Sequence, residues 1–174
     1  MRAEQVYRAP MRSRDDDVPA GLAVERALEL GLCGIGGRLD RSPNTLQDAV
    51  VATDRAFDER SARRLERFAA APPGSFVWTA DAYEFLWLGR INGQWSYDSG
   101  AGAWAVDLVH VRSCDWIDAP IPRADAPPSV HATFARGGRN WQRIGDPHVE
   151  SQSDRLWERY GPDADPVTSA PAPR

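Results

Sequence analysis

Trp95, Tyr97 and Asp98 combine two flat aromatic faces with a carboxylate inside four residues. In an extended segment alternate side chains share a face, so Trp95 and Tyr97 point the same way. They follow Asn92-Gly93, a tight-turn or bulge signal. Aromatic faces stack on planar rings, and a carboxylate accepts from ring or exocyclic N–H groups, so together they suit a nucleobase. The same rings also serve as filling for a small barrel, the common fate of Trp in strands. Trp78, Trp87, Trp104, Trp116 and Trp141 belong to the same aromatic set. A second feature is the glycine-rich basic loop Arg136-Gly137-Gly138-Arg139, with Arg143 beyond it. Glycine lets backbone approach a phosphate, and arginine grips one through parallel N–H bonds. A solvated turn explains that loop equally well.

Other chemistries find less support. Gly34-Ile35-Gly36-Gly37 begins like a dinucleotide loop, but its third glycine would fall at Leu39. Ser96, Ser99 and Ser113 lack a nucleophile elbow, and no motif ties a histidine to them. Asp98 and Asp107 are candidate paired carboxylates, although acids flanking a Gly/Ala loop are commonly just solvated. All 21 basic residues are arginine. The missing lysine argues against Walker-type phosphate loops, Schiff-base enzymes and nucleases built on Asp/Glu-x-Lys. His110, His131 and His148 are scattered, and Cys33 and Cys114 each sit in an apolar stretch as small hydrophobes. Neither a metal nor a cofactor is expected. A net charge of −4 disfavours coating a polyanion wholesale yet permits a local basic face. Residues 126–145 hold three arginines and no acid, whereas 146–174 hold six acids and three arginines.

The elements that must position these residues change character along the chain. Val6–Ala9 reads as a strand stopped by Pro10, and Pro19 suits the first turn of a helix bearing Leu22, Ala23, Ala27 and Leu30. Gly31 is placed as a left-handed cap before the short strand Leu32–Ile35. Helices are predicted over 45–55 and 58–71. The second turns Leu65, Phe68 and Ala69 inward and Arg60, Arg63, Arg64 and Arg67 largely outward. After Pro72-Pro73-Gly74, strands are predicted over 75–79, 84–91, 94–97 and 105–114, the last running toward Trp116-Ile117. A helical turn at 130–134, a strand at 140–144, a short helix at 154–160 and a Pro/Ala-rich tail complete the reading. One domain is expected over 1–145, with 146–174 forming a short helix and an acidic, Pro/Ala-rich tail. No apolar run reaches the roughly 18 residues of a membrane span. A soluble, cytoplasmic protein with no membrane partner is the expectation.

In order, these segments resemble the PUA-like superfamily, especially the EVE-like and Mrr-N-terminal-type modules that accompany modification-dependent restriction enzymes. The matching pieces are Val6-Tyr7-Arg8-Ala9, the helix ending in Gly31, Leu32–Gly36, Gly74–Trp78, Leu88–Asp98, Asp107–Arg112 with Trp116-Ile117, and Arg139–Ile144. The resemblance spans about residues 6–145 and rests on the order of short, degenerate motifs. It implies an α+β fold, a small curved β-barrel flanked by helices, with a pocket for an extruded or unpaired modified base. Trp78, Trp95 and Tyr97 would frame the base, Asp98 would read its edge, and Arg136, Arg139 and Arg143 would hold the backbone. Function would be non-enzymatic reading of modified DNA, with RNA the alternative polymer, beside a separate nuclease or effector in defence against foreign DNA. Two other functions stay open: an interaction scaffold with a sealed barrel core, and a small hydrolase or base-excision enzyme using Asp98 or Asp107 as general base. Many EVE-like sequences carry an aromatic directly after the Ile-Gly of the second strand, where this chain has Gly37. That wall of the pocket is therefore open or supplied from elsewhere.

Overall fold

In the computed structural model, which describes residues 5–164, the chain opens with a buried strand, β1 (Val6–Arg8). Helix α1 (Leu22–Leu30) buries Ala23, Val24 and Ala27 at helical spacing. Pro19 lies ahead of it rather than in its first turn, because the helix starts only after Gly21. Gly31 ends α1 at φ 66°, a left-handed conformation that costs glycine little. Strand β2 (Leu32–Ile35) follows. Helices α2 (Leu46–Ala56) and α3 (Glu59–Ala70) start where sequence logic puts their caps. Thr45 accepts from the Asp48 amide at 3.1 Å and Asp58 from the Ser61 amide at 2.7 Å. Along α3, Ala62, Leu65 and Phe68 are buried.

Strands β3 (Phe76–Ala80), β4 (Leu86–Ile91), β5 (Ser96–Tyr97), β6 (His110–Trp116) and β7 (Gln142–Arg143) complete the sheet. Its order is β2-β6-β4-β3-β1-β7, with β5 also paired to β6. The β1–β3 pair is parallel and the other pairs are antiparallel. Ile91 of β4 pairs with Cys114, and Ser96 of β5 pairs with Val111, so β4 and β5 run in succession along one flank of β6. Between them the Asn92 and Gly93 amides both donate to the Ser113 carbonyl, at 3.0 and 3.3 Å. Two residues facing one is a bulge, and it bends the sheet into a curl.

Three further helices differ from the sequence expectation. The long strand predicted from residue 105 begins only at His110, because Ala101–Ala105 winds into a short helix, α4. Asp107 then turns the chain at φ 51°. The helical turn near 130 is a full helix, α5 (Pro128–Ala135), with proline in its first turn. The last helix, α6, runs from Val149 to Tyr160 and is longer than the predicted 154–160. From residue 165 onward the Pro/Ala-rich tail lies outside the described residues.

Strand alternation divides the apolar residues of the sheet between two main cores, and Leu39, Ala49 and Leu65 form a smaller third cluster at α2 and α3. On one face Tyr7, Val77, Ile91, Leu108 and Trp141 pack with Ala27 of α1 and Phe68 of α3. On the other, Phe76, Trp78 and Leu88 pack with Val130 of α5 and with Val149 and Leu156 of α6. The packed core thus runs past residue 145 into α6. Among the described residues no helix is long and apolar enough to cross a membrane.

Two arginines are buried without a carboxylate partner among the described residues. Arg112, 2% exposed, donates to the Gly93, Phe68 and Ala71 carbonyls at 2.7, 3.0 and 2.7 Å. It ties the C-terminal end of α3, where the helix dipole favours a cation, to the bulge. Arg8, 4% exposed, donates to the carbonyls of Thr133, Gly137 and Asn140 at 2.8, 2.9 and 3.1 Å. Burial lowers both pKa values from the usual arginine range.

Candidate ligand-binding site

A cavity of about 210 Å³ opens where six segments converge: the stretch after β1, the end of β2, the C-terminal end of α2, the start of α3, Asp107 with His110, and Arg139–Trp141. It is smaller than the roughly 300–1,000 Å³ of drug-sized sites, so its room suits one ring system. Gly34, Gly36 and Gly37 allow the close approach that shapes one side. A Cβ on Gly36 would lie 2.7 Å from Asp107 Oδ2, and Gly37 adopts φ 122°.

Asp107 organises this side. Its carboxylate, 7% exposed, accepts from the Gly37 amide at 2.9 Å and from the Ser13 hydroxyl at 2.6 Å. Arg38 Nε stands 3.9 Å away. A non-glycine residue in the left-handed region is held there by its surroundings, and these bonds do the holding.

His110, 1% exposed, is the second fixed group. Trp95 Nε1 donates to its Nδ1 at 3.3 Å, and its Nε2 lies 3.2 Å from the Gly37 carbonyl. One neutral tautomer, with the proton on Nε2, satisfies both contacts. Burial pushes the His110 pKa down to about 4, against smaller opposing effects of the Gly37 carbonyl and the Asp107 charge. At neutral pH the cavity therefore meets an uncharged imidazole.

Apolar and polar lining share the rest. Trp141 stacks on Tyr7 with centroids 4.0 Å apart and meets Phe68 edge-on at 5.6 Å. Phe57 stands half-exposed on the lining. Thr53 and Trp141 also line the cavity, while Thr53 Oγ1 and Trp141 Nε1 are themselves buried and have no hydrogen-bond partner among the described residues. Five arginines and two aspartates line the cavity, which leaves it basic. Arg14 bonds Ser61, Arg38 pairs with Asp15, and Arg139 pairs with Asp16. Arg12 and Arg64 have no ion pair among the described residues, and burial followed by repulsion from Arg14 and Arg67 lowers the Arg64 pKa.

The structure distributes the sequence-nominated residues differently. Trp78 is fully enclosed in the second core, its indole N–H donating to Ser153 Oγ at 3.1 Å, and it does not reach the cavity. Trp95 and Tyr97 share a face as alternation requires, and both meet His110 from behind. The Tyr97 hydroxyl accepts from the Leu39 amide at 3.0 Å. Asp98 caps Gly100 at 2.9 Å and pairs with Arg26 at 3.4 Å, away from the cavity lining. Of the three nominated arginines, Arg139 lines the cavity. Arg143 lines an adjoining groove with Tyr7, Arg67 and Trp141. Arg136 is exposed at the end of α5 and lines neither. The wall left open at Gly37 takes its aromatic surface from Trp141 and Phe57. Thr53 and Arg12 carried no sequence signal, and Arg64, expected to turn outward with the other α3 arginines, is half-buried on the cavity instead; tertiary packing alone brings each there.

Chemically, the arrangement is a set of committed groups around a small basic hollow. Both Asp107 oxygens and both His110 nitrogens are engaged, so neither stands free as a general base beside a nucleophile. Cys33 is fully buried and its thiol is pushed up to about 12 by burial. Comparison with family models and with curated proteins gives no match to this chain.

Proposed function

We propose that the chain is a non-catalytic reader of modified nucleic acid, DNA before RNA, that takes one extruded or unpaired base into this cavity. In this reading it works beside a separate effector in defence against foreign DNA. The observation that carries it is the cavity itself: room for one ring, aromatic and imidazole side chains on its lining, and five arginines around it. Planar walls from Trp141 and His110 favour a flat ligand. Arg12 and Arg64 are available for phosphates, and Arg139 joins them if its pair with Asp16 opens. Trp95 and Tyr97 act as positioning residues that hold His110 in place. The curled sheet with helices against both faces suits a PUA-like barrel and accords with the reading. Commitment of Asp107 to Gly37 and Ser13 weighs against the hydrolase alternative.

Binding of labelled oligonucleotides with one unpaired modified or unmodified base, measured across salt concentrations, tests the proposal. Modified sites should bind more tightly. The Arg12→Ala, Arg64→Ala double variant should flatten the logarithmic salt slope by about 0.7–0.9 per lost phosphate contact. Equal affinity for modified and unmodified strands, or no binding at low salt, refutes it.

A further inference from the structure

The groove beside the cavity is built on the edge of the sheet. Arg143 of β7 stands directly opposite Tyr7 of β1, so their side chains share a face. Trp141, two residues before Arg143, stacks on Tyr7 and belongs to the same face. The C-terminal end of α3, from Arg67 onward, and Pro72 form the opposite bank. The space between measures about 770 Å³. Trp141 lines both this groove and the cavity, so the two share a wall.

Arginines continue from one to the other. Arg64 lines the cavity, and Arg67, three residues on and so its neighbour along the helix surface, lines the groove. Arg139 lines the cavity and Arg143 the groove, one on each side of Trp141 in the chain. Arg67 and Arg143 are exposed, the groove lining contains no acid, and neither arginine has an ion pair among the described residues. Two guanidiniums without a counter-charge, on facing elements, attract an anion between them. A base held in the cavity carries its phosphates out over the rim, and the groove begins at the wall they share.

We infer that the groove is the path by which the strand leaves the cavity: Arg67 and Arg143 grip the phosphate joining the extruded nucleotide to its neighbour, which lies in the groove. This rests on the reading of the cavity as a base-binding site and extends the footprint from one base to two successive nucleotides. Phosphate contacts carry no base identity, so the groove adds affinity without altering the preference for a modified base.

The full chain is titrated, across salt concentrations, with short thymidine strands carrying one central cytosine or 5-methylcytosine. Arg67→Gln with Arg143→Gln should weaken both strands about tenfold, the worth of a charge-assisted contact, and leave their affinity ratio as in the parent. The logarithmic salt slope should fall by about 0.7, the share of one phosphate on a single strand. Arg67→Lys with Arg143→Lys keeps the charge and should recover the slope. Arg60→Gln with Arg63→Gln removes the same charge from α3 positions that line neither space, and should behave as the parent. An unchanged slope in the groove variant, no recovery with lysine, an equal loss in the Arg60 and Arg63 control, or an altered ratio overturns the inference while the base-binding reading stands. So does binding of a polyglutamate peptide that the groove variant abolishes without losing strand affinity, which would give the groove to an acidic protein segment. A parent that binds neither strand, or both equally, overturns the base-binding reading and the inference with it.

Discussion

Lowering the pH from 7 to 4.5 should destabilise the protein by about 2–3 kcal/mol, through His110. Its ordinary pKa is about 6.5, and burial holds it at about 4 in the folded chain. Above pH 6.5 the imidazole is neutral in both states and contributes no pH dependence. As the pH falls below that value the unfolded chain takes up a proton and the folded chain does not, so stability drops by up to about 1.4 kcal/mol per pH unit. The loss levels off below about pH 4, where both states are protonated, at a total of about 3 kcal/mol. Protonation would also turn Nδ1 into a donor facing the donor N–H of Trp95, 3.3 Å away. Asp58 and Asp146 have pKa values lowered by hydrogen bonds from Ser61 and His148, so they lose their contributions only at more acid pH. The two windows separate. Urea denaturation followed by tryptophan fluorescence, repeated at half-unit pH steps, measures the slope. His110→Gln should remove most of it, whatever the variant's absolute stability. A flat parent profile, or an unchanged slope in His110→Gln, would refute the account of a neutral, buried imidazole.

Gly36→Ala should cost about 2–4 kcal/mol by displacing Asp107 from its charged hydrogen bonds, read as a lowered urea midpoint; a change under about 0.5 kcal/mol would contradict the contact at 2.7 Å. Trp95→Phe keeps a ring but removes the donor to His110 Nδ1. The His110 pKa should then rise, since the donor favoured the neutral form, and an NMR titration of its ring protons reports the direction. Cys33 and Cys114 should resist a thiol reagent at pH 8 in the native protein and react in urea, because burial raises both thiols. Rapid native labelling of either would show that their segments open readily.

Local signals were legible wherever one or two residues decide an element boundary. Thr45, Asp58 and Gly31 marked helix ends because capping and left-handed φ are properties of short stretches. The α4 segment was not legible, since a five-residue helix gives too little periodicity to outweigh the strand pattern that follows. The site fared as its contacts dictate. Alternation correctly paired Trp95 with Tyr97, yet nothing local tells which face of a strand meets a cavity. Trp78, by alternation the companion of Phe76, turned toward α6. Residues adjacent in sequence made one plausible site, whereas the cavity is assembled from segments as distant as Arg12 and Trp141.

The carbonyl cage around Arg8 has a kinetic meaning. By composition Arg136-Gly137-Gly138-Arg139 is a loose loop, and Gly137 and Gly138 adopt φ 71° and 107°. The Arg8 guanidinium anchors it from inside, through Gly137 and Asn140. The loop is thus pre-ordered, and little entropy remains to be lost there when a ligand docks. Association should then be a single bimolecular step, its observed rate rising linearly with ligand concentration in stopped-flow mixing. A rate that saturates at high concentration would reveal a slow loop rearrangement that the cage had failed to prevent.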